Sequence, residues 1–477
     1  MRKCQLGIHG VKTKSWPFTS IEILIAWIPV RNFSLKEPVM NDGQSLTKSQ
    51  KLYSEACEVL PGGISRNTIY RKPNPSYVEH GRGCRVMDVD GIERIDFANN
   101  MCSLIHGHAH PPTVAAVSEQ LEKGTAFTLA TEAELRFAQH LCSRNSSFEK
   151  IRFMNSGTEA VMSGIKLARA VTGRPKIAKT EGAYHGTYDY AEVSQKAKPE
   201  NWGDSDKPNR VPVAQGTPQG ALDDVVIFPF NNIDRTIELL EHNKNDLACV
   251  ILDLLPHRVG LIPATAEYIA AIREWTSQND VLLMFDEVIT FRMGYGGAAD
   301  WFEEIEADLT AMGKIIGGGF PVGALAGRDR FLSAMDPSRD VLPFPHSGTF
   351  SANPMTMTAG LATMQAFDTS SVERINNLGD YARNRLTESI ERSKKQACVT
   401  GAGSMFRIHL REQTPSEYRS TYQDEQEVLQ IKKLVGHLFD EGFMMINTCS
   451  GALSSAMSES EIDALAEAVE SGLNRID

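Results

Sequence analysis

The stretch "LTAMGKIIGGGFPVGALAGR", residues 309–328, sets one lysine at the lip of a triple glycine. A lysine becomes a nucleophile once desolvation or a neighbouring charge lowers its pKa, and its usual destination is a Schiff base with a carbonyl. The glycines let the backbone turn tightly enough for Lys314 to reach across a flat ligand; a surface lysine before a flexible turn is the bland alternative. Upstream, "VLLMFDEV" ends an apolar run on Asp286 and Glu287. An acid at a strand end either makes a structural hydrogen bond or meets a cation, such as a protonated ring nitrogen. In "FMNSGTEA" a strand runs through Asn155, Ser156, Gly157 and Thr158 into a helix, whose first N–H groups form an anion seat or simply a capped start. "EGAYHGTYDY" puts Tyr184 and His185 after a glycine, where an aromatic face can stack on a flat ligand or pack inside the protein. "HSGTFSANP" sets Ser347, Gly348 and Thr349 before another capped helix, a second candidate anion site.

These groups need a scaffold that delivers them to one place. From about residue 77, short β-rich runs ("ACVIL", "VLLMFDEV", "VGALAG") alternate with helical patterns such as "AEYIAAIREWTSQ". That alternation predicts an α/β fold, a mostly parallel sheet between helices, with ligands at the strand C-termini. Helix starts are marked by capping-box spacings at Thr131/Glu134, Ser156/Glu159 and Ser458/Glu461, and by Asn353 before Pro354. Residues 196–220, rich in proline, glycine and polar side chains, read as a long lid or binding loop. The expected organisation is an extension over 1–39, an N-terminal segment of a small domain over 40–100, a large domain over 101–365 and a smaller α+β domain over 366–477.

Composition narrows the function classes. A chain of 477 residues, 42% hydrophobic, exceeds one compact core and predicts two lobes. A net charge of -11 leaves no electrostatic footprint for nucleic acid. No apolar run reaches the roughly 18–20 residues of a membrane span. Eight scattered cysteines without a C-x-x-C pair fit free thiols in a reducing compartment, so a cytoplasmic location is expected. Residues 1–39 combine basic residues with "IEILIAWIPV", but Glu22 interrupts the run and no small-residue cleavage site follows; an extension before Met40 is the favoured reading over a targeting segment.

Phosphate seat, acid, stacking aromatic and lysine, in that order, are what one phosphorylated pyridine aldehyde requires: pyridoxal 5'-phosphate. The set "NSGTEA", "YHG", "FDEV", "GKIIGGGFPVGA" and "GTFSANP" resembles the class III, fold-type I pyridoxal-phosphate aminotransferases, over about nine-tenths of the chain from "PGGISR" onward. The resemblance implies that Lys314 forms the Schiff base and shuttles a proton, and that Asp286 pairs with the pyridine nitrogen. It also implies that Val288, two residues along the same strand, covers one ring face while Tyr184, helped by His185, covers the other. Ser156, Gly157 and Thr158 would hold the phosphate. Gly348 and Thr349 would reach the phosphate of a neighbouring subunit, giving a homodimer with shared sites.

"LPGGISRNTIY" resembles the branch of glutamate-1-semialdehyde aminomutases and β-amino-acid transaminases, which makes Arg66 the expected substrate carboxylate anchor. Two departures stand out. Relatives usually carry Glu-Pro where this chain has Asp253-Leu254, and His257 and Arg258 replace common small residues. The aminomutases carry a glutamate where "NTCSGALSSAM" has no acid, which favours transfer between an amino donor and a 2-oxo acid over isomerisation within one molecule. A non-catalytic cofactor scaffold is the third reading, opposed by intact Lys314, Asp286 and Tyr184. "HGHAHP" aligns His106, His108 and His110 at alternate positions, but reads as a turn entering a helix and not as a metal site.

Overall fold

The apolar runs of the middle third lie side by side in the computed structural model, which describes residues 46–302 and 305–476. The expectations for residues 1–39 fall outside the described residues. Seven strands form one sheet: β1 (Lys150–Met154), β2 (Lys176–Thr180), β3 (Val225–Phe228), β4 (Leu247–Leu252), β5 (Leu282–Asp286), β6 (Leu309–Gly313) and β7 (Gly323–Gly327). Their order is β1-β7-β6-β5-β4-β2-β3. Only β7 runs against its neighbours, pairing antiparallel with β1 and β6. Every residue of β4 and β5 is buried, as in a parallel sheet covered on both faces. The β1, β2, β4, β5 and β6 C-termini therefore open on one edge, where such a sheet binds ligands.

Helix α1 (Gly157–Thr172) follows β1 and packs directly on the sheet. Its mid-helix Gly164 is required by this close approach, because a Cβ there would meet Met284 Sδ of β5 at 2.4 Å. The predicted helix starts are used: Thr131 accepts from Glu134 N–H, Ser156 from Glu159 N–H and Asn353 from Thr356 N–H, while Ser458 and Glu461 form a reciprocal capping box.

Residues 48–477 form one compact unit with two further sheets. In the four-stranded one, Glu93–Asp96 pairs in parallel with Phe443–Met444, so chain segments far apart in sequence share a sheet. The three-stranded one comprises Cys398–Thr400, Met405–His409 and Ser450–Ala452. Phe97 joins these sheets, its ring 6.1 Å from Phe406 and 6.3 Å from Phe443. The long loop over 196–220 is pinned from the C-terminal side. Arg419 donates to both carboxylate oxygens of Glu181 and to the carbonyls of Trp202, Gly203 and Asp204, and Tyr418 Oη donates to Ala197 O at 2.7 Å.

Among the described residues, no helix is long and apolar enough to cross a membrane, and all seven cysteines there are free.

Candidate active site

The strand ends surround a cavity of about 360 Å³. From β1 come Asn155 and Ser156, and then the start of α1. The Ser156 hydroxyl accepts from Glu159 N–H at 3.1 Å, and the Glu159 carboxylate accepts from Asn155 N–H at 2.8 Å. This double cap fixes the helix start, whose remaining first-turn N–H groups face the cavity as a seat for an anion. Gly157 is held to its small size by Val288: a Cβ would meet Val288 Cγ1 at 2.7 Å and Cγ2 at 2.8 Å. Gly157→Ala is expected to destabilise the protein by about 1–3 kcal/mol in denaturant unfolding, and adding Val288→Ala should restore most of the loss.

From β2 comes the turn carrying Tyr184, 40% exposed, and His185, 1% exposed. His185 Nδ1 lies 2.7 Å from Asp286 Oδ2, while Asp286 Oδ1 accepts from Val288 N–H at 3.1 Å. Burial pushes the His185 imidazole below its ordinary range, against the pull of Asp286. A neutral ring beside a carboxylate carries its proton on Nδ1 and donates it to Asp286. His185 Nε2 is buried and has no protein partner.

From β4 comes Asp253, 6% exposed, whose Oδ1 accepts from Leu255 N–H at 3.0 Å. Burial, reinforced by the Asp286 charge, pushes its carboxyl up to about 8. The unfolded chain releases this proton near pH 4. Between there and pH 8 the folded protein holds more protons than the unfolded one, so this group makes stability fall as pH rises. Asp253→Asn is expected to flatten that slope in unfolding titrations of the cofactor-free protein, with its largest gain near pH 8.

From β6 comes Lys314, in the left-handed region at φ +50, a conformation disfavoured for a side chain of this length. The strain turns the chain into the "IIGGG" segment and puts the amine in the cavity. Burial lowers the Lys314 pKa, opposed by Cys102, Asp286 and Asp253, which leaves the amine closer to its nucleophilic form.

Ser156, Gly157, Thr158, Tyr184, His185, Asp286, Val288 and Lys314 all line this one cavity. Val288 corrects one expectation: β5 stops at Asp286, so Val288 is not on the strand but in the turn that follows, held by the Asp286 side chain. Arg66 is exposed and reaches the wall indirectly, Nη1 donating to Asn100 Oδ1 at 2.8 Å. Gly348 and Thr349 are not part of the lining. Thr349 is exposed, and Gly348 sits beside Asn155, with 3.5 Å from an added Cβ to Asn155 Nδ2.

Asn100 and Ser103 line the cavity without having been singled out in the sequence. They belong to an unusual turn: Asn99, Asn100, Met101 and Cys102 all have positive φ, from 45 to 67. The Asn-Asn pair is the one available signal, since asparagine tolerates this region better than most residues. The histidines of "HGHAHP" have protein partners. His106 Nδ1 is 2.7 Å from Ser455 Oγ, His108 Nε2 is 2.8 Å from Asp96 Oδ2, and His110 Nδ1 is 2.9 Å from Thr113 Oγ1.

The chemistry of the donor set fits pyridoxal phosphate. An anion seat stands at the start of α1, a buried carboxylate is polarised by histidine, an aromatic wall flanks it, and an amine of lowered pKa faces them. Comparison with known proteins agrees. The family model for class III aminotransferases matches residues 69–469. The glutamate-1-semialdehyde 2,1-aminomutase of Methanocaldococcus jannaschii is 36% identical over 383 residues, 80% of this chain and 87% of that protein. An omega-transaminase from Sphaerobacter thermophilus superposes with a TM-score of 0.87 at 43% identity, covering 90% of this chain and 97% of that one. A transaminase with PLP bound gives a TM-score of 0.83 at 40% identity, over 91% and 99% of the two chains. The chain belongs to the class III aminotransferases, fold-type I enzymes whose cofactor is pyridoxal phosphate.

Proposed function

We propose that this enzyme moves an amino group from an amino acid, which includes β-amino acids, or an amine to a 2-oxo acid, with Lys314 as covalent anchor and acid/base. The observation that carries the reading is the convergence of Lys314, the Asp286–His185 pair and the start of α1 on one cavity. When bound, the cofactor supplies an electron sink for charge developing at the substrate Cα. Asp286 would hold the ring nitrogen protonated, with His185 fixing the carboxylate through Nδ1–H. Ser156, Gly157 and Thr158 would hold the phosphate at the helix start. Tyr184 and Val288 would close the two faces of the ring and exclude water there. Lys314 Nζ, released by the incoming amine, would take the proton from Cα and return it one atom further along. Arg66, brought to the cavity wall by Asn100, would orient the substrate carboxylate.

Gly348 and Thr349, exposed beside the site, would complete the phosphate seat of a second subunit in a homodimer. The two likenesses to transaminases, at 43% and 40% identity, support transfer between molecules. Likeness to an aminomutase supports a second reading, transfer within one molecule. The two separate in one experiment. The protein is reconstituted with pyridoxal phosphate and given amino donors with and without a 2-oxo acid, while the visible absorption band is followed. Bleaching by the donor and recovery on adding the 2-oxo acid are expected. Turnover without any acceptor would establish isomerisation instead, and no response to any amine would leave a non-catalytic scaffold.

A further inference from the structure

The β4 end carries a second cation that the amino-transfer reading leaves unused. Arg258 lies five residues after Asp253, and its guanidinium carbon is 5.3 Å from the centroid of the Tyr184 ring, a wall of the cavity. The side chain is partly buried, yet among the described residues no oxygen accepts a hydrogen bond from it and no acid pairs with it. The acids on the adjoining strand ends are already committed. Glu181 holds Arg419 through both oxygens, Asp286 holds His185 and the Val288 N–H, and Asp253 takes the Leu255 N–H. The nearby ammonium of Lys179, fully buried, is satisfied by the carbonyls of Ala183 at 3.0 Å and Val193 at 2.8 Å. This corner of the site therefore carries positive charge without a free counter-ion. A guanidinium half withdrawn from water without an acid is costly, and its planar fork matches a carboxylate.

Arg66 and Arg258 approach the cavity from different elements, one through Asn100 and the other over Tyr184. We propose that Arg258 recognises a second carboxylate on the substrate, so that the donor or the 2-oxo acceptor is a dicarboxylic acid. The proposal rests on the amino-transfer reading for its substrate, but its binding test does not. Tyr184 becomes a shared wall, with the cofactor ring as one neighbour and the cation as the other, and the Arg258 fork decides between diacids and monoacids of equal length.

The test compares glutarate with pentanoate, which differ in one terminal carboxylate and cannot react, by calorimetric titration of the holoenzyme. In parallel, recovery of the pyridoxamine-loaded enzyme is timed with 2-oxoglutarate and with 2-oxopentanoate. The wild type is expected to favour the diacid in both assays by at least about tenfold, the size of one charge-assisted pair. Arg258→Met and Arg258→Gln should abolish that preference while leaving the monoacid unchanged. Equal affinity for the two acids in the wild type would overturn the proposal. So would a preference that survives both substitutions, or variants that weaken both acids alike. If no amine bleaches the cofactor, the amino-transfer reading fails and the glutarate titration alone decides the role of Arg258; if bleaching is normal without a diacid preference, only the Arg258 proposal falls.

Discussion

Lys314→Ala is expected to lower amino transfer by at least about 10⁴-fold while the fold survives. One side chain carries two roles in the proposed reaction, covalent anchor and proton carrier, so its removal takes both together, and losses of this kind do not add simply. The environment supports the direction. The amine lies in a cavity whose burial lowers its pKa, with Asp286, Asp253 and Cys102 as opposing partners. Truncation removes a poorly solvated cation and leaves no buried carboxylate newly stranded, because Asp286 keeps His185 and the Val288 N–H. Thermal unfolding of the variant should therefore match the wild type or exceed it. Borohydride treatment of the holoenzyme should add the mass of the reduced cofactor to the wild-type peptide that contains Lys314, and add none in the variant. Millimolar methylamine should recover part of the lost rate by supplying the missing base from solution. A variant retaining most of its turnover, or a wild-type adduct on another lysine, would remove Lys314 from the mechanism.

Much of this scaffold was legible because each strand end is announced locally. "VLLMFDEV" could be read as a buried strand delivering an acid, since a strand covered on both faces has little choice but a continuous apolar run. Ser156, Asn353 and Ser458 marked their helices because the capping side chain and its N–H partner lie within three residues. What escaped depends on contacts between distant residues or on backbone conformation. Val288 was assigned to the strand by counting alternation, but Asp286 ends the strand by turning its own Oδ1 back onto the Val288 N–H. The left-handed turn at Asn99–Cys102, which presents Asn100 to Arg66, has only its asparagines as a trace. Nothing in "LREQTPSEYRS" announces that Arg419 will clamp Glu181, 238 residues earlier, and so anchor the loop beside Tyr184. Pairing over that separation is a product of the assembled fold.

Asp286→Asn is expected to lower turnover by about 10²–10³-fold, the scale for removing one preorganised electrostatic partner of developing charge. Asparagine keeps the shape of the side chain but offers one acceptor oxygen where aspartate offers two. In the wild type Oδ2 takes the His185 proton and Oδ1 takes the Val288 N–H. The amide must give up one of them. If its NH₂ faces His185, the ring has to accept at Nδ1 and move its proton to Nε2, a buried atom with no protein partner. If its oxygen faces His185, the Val288 N–H loses its acceptor and the turn over the ring face loosens. Either way the negative charge that would hold a ring nitrogen protonated is gone, so the loss should fall mainly on kcat and persist at saturating donor. His185→Gln makes the contrast: it removes the orienting donor but leaves the carboxylate charged, and its effect should be several-fold smaller than that of Asp286→Asn. Near-wild-type turnover in Asp286→Asn, or a larger loss in His185→Gln, would reverse the order of importance that the geometry implies.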